Sequence, residues 1–135
     1  MTEDEARRSV VDYWIKKADA ALASARSETA AKRFDFATNR LYYACFYAAS
    51  AVLLQAGKKF VKHSGVRGAV HQDLVKAGKL DIRWGKTYDQ IFERRQFSDY
   101  MELYEPEESE VLDMLKQAEG FVAEMKRLLA SQAGR

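Results

Sequence analysis

Residues 34–57, FDFATNRLYYACFYAASAVLLQAG, constrain the fold more than any other stretch of this chain. The stretch has no proline, and its only glycine stands at its end, where helices commonly stop. As one helix it spans about 36 Å at about 1.5 Å per residue. Leu41, Ala44, Ala48 and Val52 fall on one side of that helix, and Phe36, Tyr43, Phe46, Tyr47 and Leu54 on others. A helix that is apolar nearly all round belongs at the centre of a protein, with partners on several sides. Asp35 and Arg40 interrupt its first half, so there is no uncharged run of about 18 apolar residues and no membrane span is expected.

The flanking segments supply the partners. Over residues 4–31, Val11, Trp14, Ala18, Ala21 or Leu22, and Ala25 recur at spacings of three and four, which predicts a first long helix. Residues 32–35 leave only a short connection, so the first two helices are expected to be antiparallel neighbours. Residues 58–62 read as a loop, with Ser64 the N-cap of a short helix to about residue 76, although Gly65 and Gly68 count against helix there. A fourth helix is expected over residues 84–101, with Trp84, Tyr88 and Ile91 on one face. Pro106 is expected to open the last helix, where Glu107, Glu108 and Glu110 suit the positive end of the dipole. Val111, Leu115, Ala118, Val122, Met125 and Leu129 then form a heptad-like seam, and residues 131–135 are expected to fray. No repeat and no strand pattern is seen. The expected fold is all-α: an antiparallel up-and-down bundle of four long helices plus a short one, with residues 1–135 as one domain.

Charge and cysteine content narrow the function classes. Lysine and arginine outnumber acids 10 to 4 over residues 58–95, whereas acids outnumber bases 9 to 1 over residues 99–124. A basic middle and an acidic end fit a phosphate-bearing ligand or a charged partner, or complementary solvated faces within one domain. The single cysteine, Cys45, excludes an intramolecular disulfide and a four-thiolate metal site, and it reads as a small buried hydrophobe. The N-terminus has no apolar core of a signal peptide, so a cytoplasmic location is expected.

Few residues carry recognisable chemistry. Neither GxGxxG nor GxxxxGK[ST] occurs, and no cofactor is expected. His63 and His71 have no acidic residue at helical spacing beside both, so they read as surface or capping histidines and no metal site is expected. Arg95 continues the apolar stripe of Trp84, Tyr88 and Ile91. A guanidinium there must be paired, exposed at a projecting helix end, or aimed at an anion. Asp99 stands four residues on, and an ion pair with it is the simplest account. Tyr100 lies about 140° round the helix from Arg95, so the two share a site only at a helix end or across two copies. A guanidinium and a phenol beside a basic segment suit a phosphate and a base. On the central helix Asn39 and Arg40 break the apolar run and each needs a polar partner, Asp99 being a candidate for Arg40. Tyr43 reads as a core aromatic whose hydroxyl reaches the edge.

Three pieces in this order, NRLYYACFYAASAVL, KHSGV and RRQFSDY, resemble the HEPN domains of prokaryotes over about residues 10–130. The resemblance implies an antiparallel helical bundle, usually a homodimer, often encoded beside a minimal nucleotidyltransferase and paired with it as toxin and antitoxin. Active members of that family are metal-independent ribonucleases, with an arginine followed four to six residues later by a histidine and the two copies meeting at the dimer interface. Here Arg95 matches the arginine, position 100 is tyrosine, and no histidine follows. A histidine titrates near pH 6.5, but only about one phenol in a thousand is ionised at pH 7, so Tyr100 can donate a proton yet is a poor base. Tyrosines near the family motif also accept nucleotides from the partner enzyme, a role that would fall here to Tyr100 and Tyr104.

Resemblance and residues together give a homodimer that acts with a minimal nucleotidyltransferase and binds nucleotide or RNA, with Arg95 holding a phosphate, Asp99 orienting it, Tyr100 hydrogen-bonding or stacking nearby, and Asn39, Arg40 and Tyr43 as further candidate contacts. Two alternatives stand beside it. One is a metal-independent endoribonuclease with Arg95 and Tyr100 as its catalytic pair. The other is a structural adaptor whose heptad-like seam and acidic last helix recruit a partner.

Overall fold

Thr2 starts the first helix. Its hydroxyl accepts from the Glu5 amide at 3.1 Å while the Glu5 carboxylate accepts from the Thr2 amide at 3.3 Å. This reciprocal cap contributes about 1 kcal/mol. In the computed structural model, which describes residues 2–59, 62–101 and 104–133, α1 runs over Glu3–Ala30 and α2 over Phe34–Gln55. The chain reverses between them at Lys32, whose φ of 61° is left-handed, and the Arg33 guanidinium closes back on Glu28 at 2.6 Å. The short α3, His63–Ala69, continues as a π-helical turn, Val70–Val75. Helix α4 covers Ile82–Tyr100, capped by the Asp81 carboxylate on the Arg83 amide, and α5 covers Glu108–Ala133. The architecture is all-α, as expected, with no strand among the described residues. No described helix is long and apolar enough to cross a membrane.

Helix α2 is the hub, in contact with α1, α3, α4 and α5. Leu41, Ala44, Ala48 and Val52 are fully buried, as the sequence predicts. The other sides are less uniform than expected. Phe36 is exposed because it lies in the first turn, at the end of the bundle, whereas Tyr42 is fully buried between α4 and α3. Ion pairs fix the direction of the outer helices. Asp19 with Lys126 and Arg26 with Glu119 run α1 antiparallel to α5. Arg94 with Glu110, and Trp84 against Gly120, run α4 antiparallel to α5. The topology is up-and-down.

Several boundaries differ from expectation. Helix α5 begins at Glu108, and Pro106 is a buried residue ahead of it. Helix α3 is preceded by Lys62 and has no side-chain cap, so Ser64 is not an N-cap: it already lies inside the helix. The seam on α5 is wider than a heptad stripe. Met114, Phe121 and Leu128 are buried along with Val111, Ala118, Val122 and Met125, while Leu115 and Leu129 are only partly covered. A helix packed on α1, α2 and α4 together needs a broader apolar face than a two-helix seam provides. Parts of the expected 58–62 loop (60 and 61), of the 93–104 segment (102 and 103) and of the terminal tail (134 and 135) lie outside the described residues.

Candidate functional site

The side chain of Arg95 is only 15% exposed although it is charged, and its surroundings explain why. Its Nε donates to the Asp99 carboxylate at 2.9 Å, one helical turn on. Its guanidinium carbon lies 4.8 Å from the Tyr42 ring centre and 5.4 Å from that of Tyr43. Aromatic faces attract a guanidinium and partly replace its lost hydration. Arg40 approaches the same Tyr43 ring, also at 5.4 Å. Its Nε and Nη2 donate to the Asn39 side-chain oxygen at 3.1 and 2.5 Å. The expected Arg40–Asp99 pair is not formed, because Asp99 is engaged by Arg95 in its own helix. Asn39, Arg40, Tyr43, Arg95 and Asp99 therefore gather where α2 faces the C-terminal half of α4. The cluster holds two guanidinium groups and one carboxylate, a surplus of positive charge at a half-buried edge.

The two other tyrosines stand elsewhere. Tyr100, the last residue of α4, is 74% exposed, and with Phe97 and Met101 it borders an open hollow of about 320 Å³. It makes no hydrogen bond to Arg95. The Tyr104 hydroxyl donates to Glu110 at 3.3 Å, and Glu110 also accepts from Arg94 at 3.0 Å. Burial and the Glu110 carboxylate push the Tyr104 phenol above its ordinary pKa.

His63 is neither a surface nor a capping histidine. Its ring stacks on Phe46 at 4.3 Å between centres, and its Nδ1 lies 2.7 Å from the Tyr42 hydroxyl. Burial, and after it the Arg95 charge, hold this imidazole below its ordinary pKa. Burial pushes the Tyr42 phenol up to about 12. The signal for this pair lay in the i,i+4 spacing of Tyr42 and Phe46, which makes a platform, but nothing local says which residue lies on it. His71 is held differently: its Nε2 and the Arg67 Nε both reach Asp89, at 2.9 and 2.8 Å, and Arg67 also bonds Glu93. Burial pushes the Asp89 carboxyl up, but the bonds from His71 and Arg67 outweigh it and hold the group below the usual carboxylate range. Among the described residues no group of three or more metal-ligating side chains is placed to hold an ion.

Comparison with known proteins places this geometry in a family. The model of the HEPN domain matches residues 11–128. The chain is 41% identical over 123 residues to a protein of Thermotoga maritima named "UPF0332 protein", with 91% of this chain and 93% of that one covered. It is 29% identical over 118 residues to "Putative toxin MJ0142" of Methanocaldococcus jannaschii, covering 87% of this chain and 80% of that one. A second protein of that organism, "Putative toxin MJ0605", is 29% identical over 122 residues, with 90% of each chain covered.

Proposed function

The chain belongs to the HEPN domain family, and on that premise we propose that it is the HEPN half of a toxin–antitoxin module, binding nucleotide or RNA as a cytoplasmic homodimer and acting with a minimal nucleotidyltransferase. Two relatives bear the name of toxins, which supports the module. The observation that carries the ligand reading is the convergence of Arg40 and Arg95 on the Tyr43 ring, where Asp99 pairs with Arg95 alone. In this reading Arg95 holds a phosphate, Asp99 keeps the guanidinium in place, and the Tyr43 face and Asn39 border the attached nucleoside. Residues 1–135 act as one domain, and Tyr100 and Tyr104, outside this cluster, are the candidate acceptors for nucleotide transfer by the partner.

Binding of a short RNA, followed by fluorescence anisotropy for wild type and Arg95→Ala, tests the reading. Loss of a charge-assisted contact of about 1.5–3 kcal/mol weakens binding by roughly ten- to a hundredfold. Equal affinity of the two proteins would remove Arg95 from the site. Incubation of the same RNA in EDTA then separates a binding half from a nuclease. Cleavage lost with Arg95 makes the chain a metal-independent endoribonuclease, and intact RNA with both proteins leaves it a binding partner.

A further inference from the structure

The geometry points to His63 as the titrating member of the Arg95 site: we propose that guanidinium and imidazole, both laid against Tyr42 and Tyr43, receive one phosphodiester of an RNA chain and that His63 takes up a proton as it binds. This rests on the phosphate-binding reading above and adds the group that the sequence lacks after Arg95.

Four observations carry it. First, His63 and Arg95 come from α3 and α4, yet both pack on the same two rings of α2. His63 is 5.6 Å from Tyr42 and 5.7 Å from Tyr43 between centres, and the Arg95 guanidinium is 4.8 and 5.4 Å from them. Second, the imidazole is only half-buried, so a ligand can reach it. Third, the Tyr42 hydroxyl can serve both protonation states. A phenol donates to Nδ1 of a neutral imidazole and, after rotation, accepts from Nδ1–H of the cation. Burial keeps Tyr42 a phenol throughout. Fourth, the stacked Phe46 ring favours an imidazolium over its face.

The charge balance sets the sign. The groups facing His63 are Tyr42 and Tyr43 from α2 and Arg95 from α4, with the Tyr88 ring buried behind Tyr42. Among the described residues no carboxylate pairs with His63. Burial and Arg95 keep the free imidazole neutral at pH 7. A phosphodiester placed between the two groups cancels the repulsion and favours the cation, so binding must strengthen as pH falls.

Oligouridylate with a 5′-hydroxyl end tests this, because it has no group that titrates between pH 5.5 and 8. For wild type, affinity is expected to be several-fold tighter at pH 5.5 than at pH 8, because bound His63 holds its proton more tightly than free His63. His63→Gln abolishes that dependence, and His71→Gln retains it. Binding that is independent of pH, or whose pH dependence survives in His63→Gln, overturns the role of His63 and leaves the Arg95 reading standing. Absence of binding at every pH overturns both. Should His63→Gln fail to fold, NMR titration of the wild-type His63 ring decides: its pKa rises on adding oligouridylate, and an unmoved value in the bound protein overturns the proposal.

Discussion

Asp89 shows how single residues set the behaviour of this bundle. Its carboxylate ties His71 and Arg67, and so the π-helical turn and α3, to α4. Asp89→Asn is expected to lower stability by about 1–2 kcal/mol at pH 7, the size of hydrogen bonds to a charged group discounted for partial exposure. The folded pKa of Asp89 is depressed, so its contribution is fully present above the unfolded value near 4 and is lost as pH falls through the folded one. Denaturant melts between pH 3 and 7 should therefore show a shallower acid decline for Asp89→Asn than for wild type. A second residue-scale expectation concerns Arg95, whose charge depresses His63: Arg95→Ala should raise the His63 pKa in the free protein, read by NMR. Local spacing made part of this site legible. Arg95 and Asp99 are one turn apart on a single helix, and that bond formed. Tyr42 with His63, and Arg40 with Asn39, were not legible, because side-chain choice among near neighbours and contacts across 21 residues are decided by packing.

Helices were legible where apolar residues recurred over many turns, as in α1, α2 and α5, and their ends were blurred where capping chemistry competes. Proline tolerated in a first turn is equally at home just before one, so Pro106 gave no sharp boundary. The glycines divide by what surrounds them. Gly68 is exposed within α3, and a Cβ there would meet nothing within 4 Å. Gly68→Ala should stabilise the protein by about 0.5–1 kcal/mol, the gain in helix propensity. Gly120 lets α4 and α5 approach closely, and a Cβ there would sit 2.7 Å from the Trp84 ring. Gly120→Ala gains the same propensity but forces that ring aside, an overpacking cost of about 1–3 kcal/mol, so the net effect should be destabilising. Thermal melts of the two variants moving in opposite directions would check both. Neither role is visible in the sequence, since a glycine in a helix looks alike whether it faces water or a neighbour.

At the scale of the whole molecule, the basic and acidic halves partly answer each other: Arg94 of α4 bonds Glu110 of α5. Among the exposed apolar side chains, Phe97, Tyr100 and Met101 lie together at the C-terminal end of α4, each more than half exposed. That surface motivates the proposed homodimer, and a patch of this kind on a small bundle favours association. Light scattering should return twice the chain mass at micromolar concentration and a monomer for Phe97→Ser combined with Met101→Ser. The fold class was legible because one helix is apolar nearly all round. Assembly was not, because a sequence does not show which apolar residues the bundle itself covers. Cys45 bears on how such an assembly can be studied. It is the chain's only thiol, fully buried in the middle of α2, and burial pushes its pKa up so that it remains protonated and unreactive. The protein therefore needs no cysteine removed before chemical labelling. A single cysteine introduced at Tyr100 would be the one site open to a maleimide, so a spin label or fluorophore placed there would report the distance between copies against a silent background.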